Sequence, residues 1–219
     1  GLQSLKGLGL ENKTASIAVA GAILNYLELT SHHELGHITT LRSIDRLDYM
    51  RLDSFTFRSL EILYPMHREE GKSLLDVLDK TETAMGGRLL RRWLSFPLLD
   101  LDAIHRRQRI VGALVKEHEL RRTFGELLRG IGDLERLSSK VAVGRISPRE
   151  MRQLALSLRQ AEMLVGLTAG VTVPELASYA TNYTSCTEIV EELEHTLTEE
   201  PPAVLGRGQT IATGIDAEL

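Results

Sequence analysis

Two stretches of this chain come within one residue of a phosphate-binding loop. Gly7-Leu8-Gly9-Leu10-Glu11-Asn12-Lys13-Thr14 keeps the closing Lys-Thr but carries Asn12 where the second glycine belongs. Gly71-Lys72-Ser73 keeps the Gly-Lys-Ser end, with Met66 in the first-glycine position. The missing glycines are what let backbone amides wrap a phosphate, and neither stretch follows a strand rich in Val or Ile. Both therefore read as caps and loops, and no nucleotide site is expected at Lys13 or Lys72. His32, His33 and His37 cluster, but zinc takes three or four ligands and no Cys or helical Glu-x-x-His pattern completes a set. A surface loop is expected there. Cys186 is the one cysteine; no His–Asp pair can be placed beside it, so a half-buried helix residue is expected. The carboxylate pairs Asp76/Asp79 and Glu191/Glu192 read as solvated helix faces. No catalytic, cofactor-binding or metal-binding residue is assigned.

The arginines have two readings. Arg88, Arg91, Arg92, Arg106, Arg107 and Arg109 can touch DNA phosphate, each neutralised phosphate adding salt dependence to binding. They can equally pair with acids, for which Asp100, Asp102, Asp133 and Glu135 are at hand. Aromatics interleaved for base stacking are missing, since Trp93 and Phe96 fall on an apolar helix face. That favours the structural reading and leaves DNA-binding residues unassigned.

A succession of helices positions these groups. Ser73 caps a short first one, with Asp76 completing a weak capping box. Thr83 caps a second, in which Met85, Leu89, Trp93 and Phe96 recur at helical spacing while Arg88, Arg91 and Arg92 face away. Pro97 stops it, because the residue before a proline is pushed out of the helical region. Asp100 or Asp102 opens a third, from about residue 103 to 116. The expected result is a three-helix corner with an apolar inside and a basic outside. Further helices follow over 119–129 and 133–143, with Gly144 as a C-cap. The strongest start is Ser147-Pro148-Arg149-Glu150, serine at N-cap, proline at N1 and glutamate at N3. That helix is expected to reach about Leu167, with Met151, Leu154, Leu158, Ala161 and Val165 on one face. Pro174 opens a weaker helix, and 186–197 forms another. Upstream, 14–30 reads as a helix with a small-residue face (Ala15, Ala18, Ala22), 38–53 as one or two short strands, and Ser54 as the cap of a brief helix ended by Pro65. Residues 203–205 and 209–213 are expected to pair as short strands around Gly206 and Gly208.

The 219 residues suffice for one large or two small domains. A hydrophobic fraction of 42% with only 5% aromatic residues points to aliphatic helix packing, and a net charge of -4 argues against a nucleic-acid clamp made of the whole chain. The charge is uneven: residues 171–200 hold seven Glu and no Lys or Arg. One cysteine excludes an internal disulfide and fits a reducing cytoplasm. No apolar run approaches the roughly 18 residues that span a bilayer.

The run SLLDVLDKTETAMGGRLLRRWLSFPLLD, then HRRQRIVGAL, then IGDLERLSSKVAVGRISPREM, resembles the core (lever) domain of the MutS family of DNA mismatch-repair proteins. Three ordered motifs over residues 71–151 carry the likeness. It extends more weakly to LDSFTFRSLEI at 52–62, which resembles the family's Asp-x-x-Thr-x-x-Asn-Leu-Glu segment with Ser59 in place of Asn, and to the closing GIDAEL, which resembles the lead-in to a long lever helix. Residues 1–38 resemble the end of the family's connector domain. The resemblance implies a mostly α chain: 1–37 as the terminal, helical end of an α/β connector, and 38–219 as a multi-helix core with a few short strands. For a parent several times longer it implies mismatch sensing by an N-terminal Phe-x-Glu, a DNA clamp, and ATP hydrolysis with Mg at the far end. It also implies a homo-oligomer with a MutL-type partner. None of those motifs lies in these residues, which would form a mechanical link without chemistry of its own. Two rivals stand beside this: a stand-alone helical nucleic-acid-binding module built on the Arg-rich 88–152 region, and a protein-interaction scaffold using the acidic C-terminal third.

Overall fold

Local capping decides where most of the helices begin. The computed structural model describes residues 14–30, 38, 49–67 and 71–215, and these are mostly helical. The first helix, α1 (Thr14–Leu29), has no buried residue. Asp53 caps α2 (Ser54–Ser59), its carboxylate accepting the Thr56 N–H at 2.7 Å; the cap falls one residue before the expected Ser54. Then α2 stops well short of Pro65, because Glu61 takes φ 49°, a left-handed conformation uncommon outside glycine. The turn is held by Leu74 N–H donating to Glu61 O at 2.9 Å and Met66 N–H donating to Glu61 Oε1 at 2.6 Å. In α3 (Leu74–Leu78) the capping box is complete: Ser73 Oγ accepts from Asp76 N at 3.1 Å, and Asp76 Oδ2 accepts from Ser73 N at 2.9 Å. Thr83 Oγ1 caps α4 (Ala84–Ser95) by accepting from Gly86 N at 3.0 Å. Of the two candidate acids, Asp100 is the one that caps α5 (Leu101–Lys116).

The remaining helices are α6 (His118–Arg129), α7 (Leu134–Ala142), α8 (Pro148–Thr168), α9 (Pro174–Asn182) and α10 (Thr187–Thr196). Ser147 and Glu150 form the expected capping box at the start of α8, with Pro148 in the first turn. Gly144, just past α7, has φ 63° and ends that helix in the left-handed conformation glycine adopts freely.

Packing converges on α8, which touches α6, α7, α9 and α10, while α5 leans on α6 and α9. Its enclosed positions are Pro148, Ala155, Ser157 and Thr168, none of them in the expected stripe, whose members are half-buried. Small residues carry the closest approaches because α8 is covered on several sides. At the α6–α7 corner Gly132 N–H donates to Ser157 Oγ at 3.0 Å, and Ser157 Oγ donates to Gln153 O at 2.7 Å. A Cβ on Gly132 would lie 2.9 Å from Gln153 Nε2 and 3.2 Å from Ser157 Oγ, so a side chain there would push on both.

The strand expectations reduce, among the described residues, to two isolated bridges. Tyr49 pairs antiparallel with Leu98, beside a Met50 N–H to Pro97 O bond of 2.8 Å; residues 39–48 lie outside those described. The pairing expected within 203–213 does not form. Instead Ile211 bridges Leu197 at the end of α10, with Thr198 N–H donating to Thr210 O at 3.0 Å and Ala212 N–H to Thr196 O at 2.9 Å. Gly206 and Gly208, both at positive φ, turn the chain back to reach it. The domain junction expected at 37–38 falls on residues 31–37, outside those described. No helix among the described residues is long and apolar enough to cross a membrane.

Candidate functional site: an arginine-lined helical corner

Of the expected three-helix corner only α3 and α4 pack on each other, while α5 packs on α6 and α9 instead, and the apolar face of α4 is not enclosed. Leu89 is 48% exposed, Trp93 38% and Phe96 39%. Within the corner only Ser73, Leu75 and the adjoining Ile62 are buried. Instead of a packed helix, an arginine lies on the tryptophan: the Arg107 guanidinium carbon sits 3.7 Å from the Trp93 ring centroid. Such stacking is attractive because the ring face is electron-rich. Burial pushes the Arg107 pKa down, against an opposing effect from Tyr49. Phe96 meets Tyr49 edge-on, ring centroids 5.7 Å apart.

The other arginines divide sharply. Arg88 on α4 forks onto the start of α7: Nη1 donates to Asp133 Oδ2 at 2.8 Å, Nη2 to Asp133 Oδ1 at 2.7 Å and to Glu135 Oε2 at 2.6 Å. Planar guanidinium and carboxylate match in this bidentate arrangement. It holds Asp133 below the usual carboxylate range and Arg88 firmly charged. Asp133 at the same time caps α7 by accepting from Arg136 N at 3.2 Å. Arg109 pairs with Glu175 in the first turn of α9, Nε donating to Oε1 at 2.7 Å, which lowers the Glu175 pKa. Arg91 reaches Tyr64, Nη1 donating to its hydroxyl at 3.1 Å with the guanidinium over the ring. Arg92 and Arg106 make no hydrogen bond or ion pair among the described residues. Two of the four expected acids, Asp133 and Glu135, therefore serve; Asp100 caps α5 instead, accepting from Asp102 N at 2.9 Å.

Several partners had no sequence signal. Glu175 lies 66 residues from Arg109, and Arg129 donates to Glu82 at 3.0 Å across 47 residues. Only the placement of Glu175 in the first turn of a helix hints that it is fixed in space.

The phosphate-loop near-miss at 71–73 has its hydroxyl committed, since Ser73 is fully buried inside its capping box. Gly71 N–H donates to His67 O at 2.9 Å. The near-miss at 7–14 lies outside the described residues except for Thr14, and so does the cluster of His32, His33 and His37. Cys186 is half-buried at the N-cap of α10. Asp76 serves the Ser73 box and Asp79 accepts from Thr81 N at 3.0 Å, so this pair caps and braces the corner; Glu191 and Glu192 are exposed. No group of three or more His, Cys, Asp or Glu side chains converges as a metal site among the described residues. A cleft of about 680 Å³ opens between the end of α5 and the start of α9. Its walls include Ala113, Leu120, Leu167 and Val171, with the Arg109–Glu175 pair on its lining.

A sequence model of the MutS domain III family matches residues 55–218. The chain is 47% identical over 218 residues to the DNA mismatch repair protein MutS of Porphyromonas gingivalis, covering 100% of the chain and 24% of that relative. It is 42% identical over 217 residues to the MutS of Parabacteroides distasonis and 41% identical over 217 to that of Bacteroides fragilis, in each case covering 99% of the chain and 25% of the relative. The chain thus spans about a quarter of the length of the curated relatives it matches.

Proposed function

The chain belongs to the MutS domain III family, and from that membership we propose that it is the structural core of a DNA mismatch-repair ATPase. In this reading it links the mismatch-recognising and clamp parts to the ATPase and performs no catalysis itself. The parent is a cytoplasmic homo-oligomer that binds mismatched double-stranded DNA, takes ATP and Mg outside these residues, and works with a MutL-type partner. One observation carries the mechanical role. The helices that converge on α8 all fall within the matched residues 55–218, and helices in direct contact pass strain to one another. The rival reading of a stand-alone nucleic-acid module loses support because Arg88, Arg91, Arg107 and Arg109 already have partners within the chain.

Two measurements test the reading. The isolated chain is expected to show no micromolar affinity for Mg-ATP by calorimetry and no preference for a G·T duplex over a matched one by fluorescence anisotropy. A tenfold preference, about 1.4 kcal/mol, would move mismatch sensing into these residues. In the full-length parent, Ser157→Val should loosen α8 and weaken the dependence of DNA affinity on bound nucleotide while leaving mismatch affinity in place. Unchanged nucleotide dependence in a variant whose α8 amides exchange faster would remove the mechanical role.

A further inference from the structure

The α3–α4 corner joins the rest of the chain in an unusual way. From α5 onward, helices pack face to face around α8, and α3 and α4 pack on each other, but α4 has no comparable packing against any helix from α5 to α10. It is tied by long polar arms that land on three different helices. Arg88 reaches Asp133 and Glu135 at the start of α7. Arg129, the last residue of α6, reaches Glu82 just ahead of α4. Arg107 of α5 lies on Trp93. The ion pairs are open to solvent: the side chains of Arg88, Glu135 and Arg129 are 49%, 70% and 61% exposed. Exposed pairs are individually weak and are screened by salt. The face of α4 that would otherwise anchor it, Leu89, Trp93 and Phe96, is half open.

We infer that the α3–α4 corner is a salt-labile arm that swings about residues 96–100 relative to the α8-centred bundle, with Arg88, Asp133 and Glu135 as the latch of its closed position. The latch can release without unfolding the helix it holds. Arg88 is replaceable at Asp133 by water without disturbing the helix cap, because Asp133 also accepts from Arg136 N. Opening therefore breaks side-chain contacts but no helix and no buried core. Arg129–Glu82 and Arg107–Trp93 act as secondary ties that limit how far the arm travels.

Distances between spin labels on the 219-residue chain test this. One pair is placed on the arm and the bundle, Arg92→Cys with Arg149→Cys, both exposed and outside the latch. A control pair lies wholly within the bundle, Ser138→Cys on α7 with Met163→Cys on α8. Cys186→Ser is present in every sample. At ~0.05 M salt the arm–bundle pair should give one dominant distance. At ~1 M salt, where the screening length falls to about 3 Å, a second and longer population should grow at least threefold. Arg88→Gln should show that population already at low salt. Arg88→Lys should be intermediate, since it keeps the charge but loses the fork. The control pair should not change under any of these conditions. An arm–bundle distribution unaffected by both salt and Arg88→Gln overturns the inference. So does equal broadening of the control pair, which would mean general loosening instead of a swinging arm.

Discussion

At the scale of single residues, the most consequential side chain is one with no charge. Ser157 is fully buried and bonded at both ends, accepting from Gly132 N and donating to Gln153 O. Ser157→Ala leaves the Gly132 N–H without a partner inside the protein, and the expected loss is about 1–3 kcal/mol of unfolding free energy; urea denaturation measures it. Glu150 is the residue whose charge matters most to pH. Its carboxyl is held down to about 2 from an ordinary 4.5, first by the hydrogen bond from Lys140 and next by the Ser147 N–H. The folded value lies below the unfolded one, so the stabilisation is whole above pH 4.5 and is lost as the pH falls toward 2. Glu150→Gln should therefore be less stable than the parent sequence at pH 7, with the gap closing between those two values. Urea midpoints taken at pH steps check this, and a gap independent of pH would remove the charge from the explanation.

Among the elements, α8 shows what sequence can and cannot reveal. Its start was legible because Ser147, Pro148 and Glu150 act on one another within four residues, and capping chemistry needs no knowledge of the fold. The same holds for Ser73, Thr83 and Pro174. Its buried side was not legible. The spacing of large apolar residues picks out Met151 through Val165, whereas the tightest approaches use Ala155 and Ser157, which carry no hydrophobic signal. The apolar face of α4 was legible as a pattern, yet a pattern does not say whether anything covers it. Arg109 with Glu175, and Arg129 with Glu82, were illegible for a third reason: their partners are brought together only by tertiary packing. The contrast at α8 is measurable. Ala155→Leu should overpack the helix and cost about 1–3 kcal/mol. Leu156→Ala, next to it but 45% exposed, should stay within about 0.5 kcal/mol. Thermal unfolding of the two variants side by side reads the difference, and equal losses would mean that α8 is not enclosed at Ala155.

At the scale of the whole molecule, the described residues leave much apolar surface uncovered. Exposed large apolar residues occur on α1, around α2 to α4, and on α5, with Val19, Ile23, Phe55, Val77, Leu89 and Val111 all more than two-fifths exposed. Apolar surface of this extent tends to find a partner. Self-association is therefore expected, and sedimentation across a hundredfold range of concentration should show the average mass rising. A strictly monomeric species that unfolds in one transition with more than about 10 kcal/mol of stability would show that the exposed faces need no cover.

The convergence of helices on α8 also has a consequence in time. Its partners α6 and α7 lie just before it in the chain and α9 and α10 just after, so the bundle assembles from short-range encounters, the arrangement that folds fastest. The ion pairs that tie α4 span 45 to 47 residues and are exposed, so they have little to contribute until the bundle exists. Perturbations in the two places should then part company in a chevron plot. Ala155→Leu acts on the nucleus and slows refolding, while Arg88→Gln leaves the refolding rate alone and speeds unfolding. The bundle is then expected to form before the α3–α4 arm docks, and the arm to leave before the bundle opens.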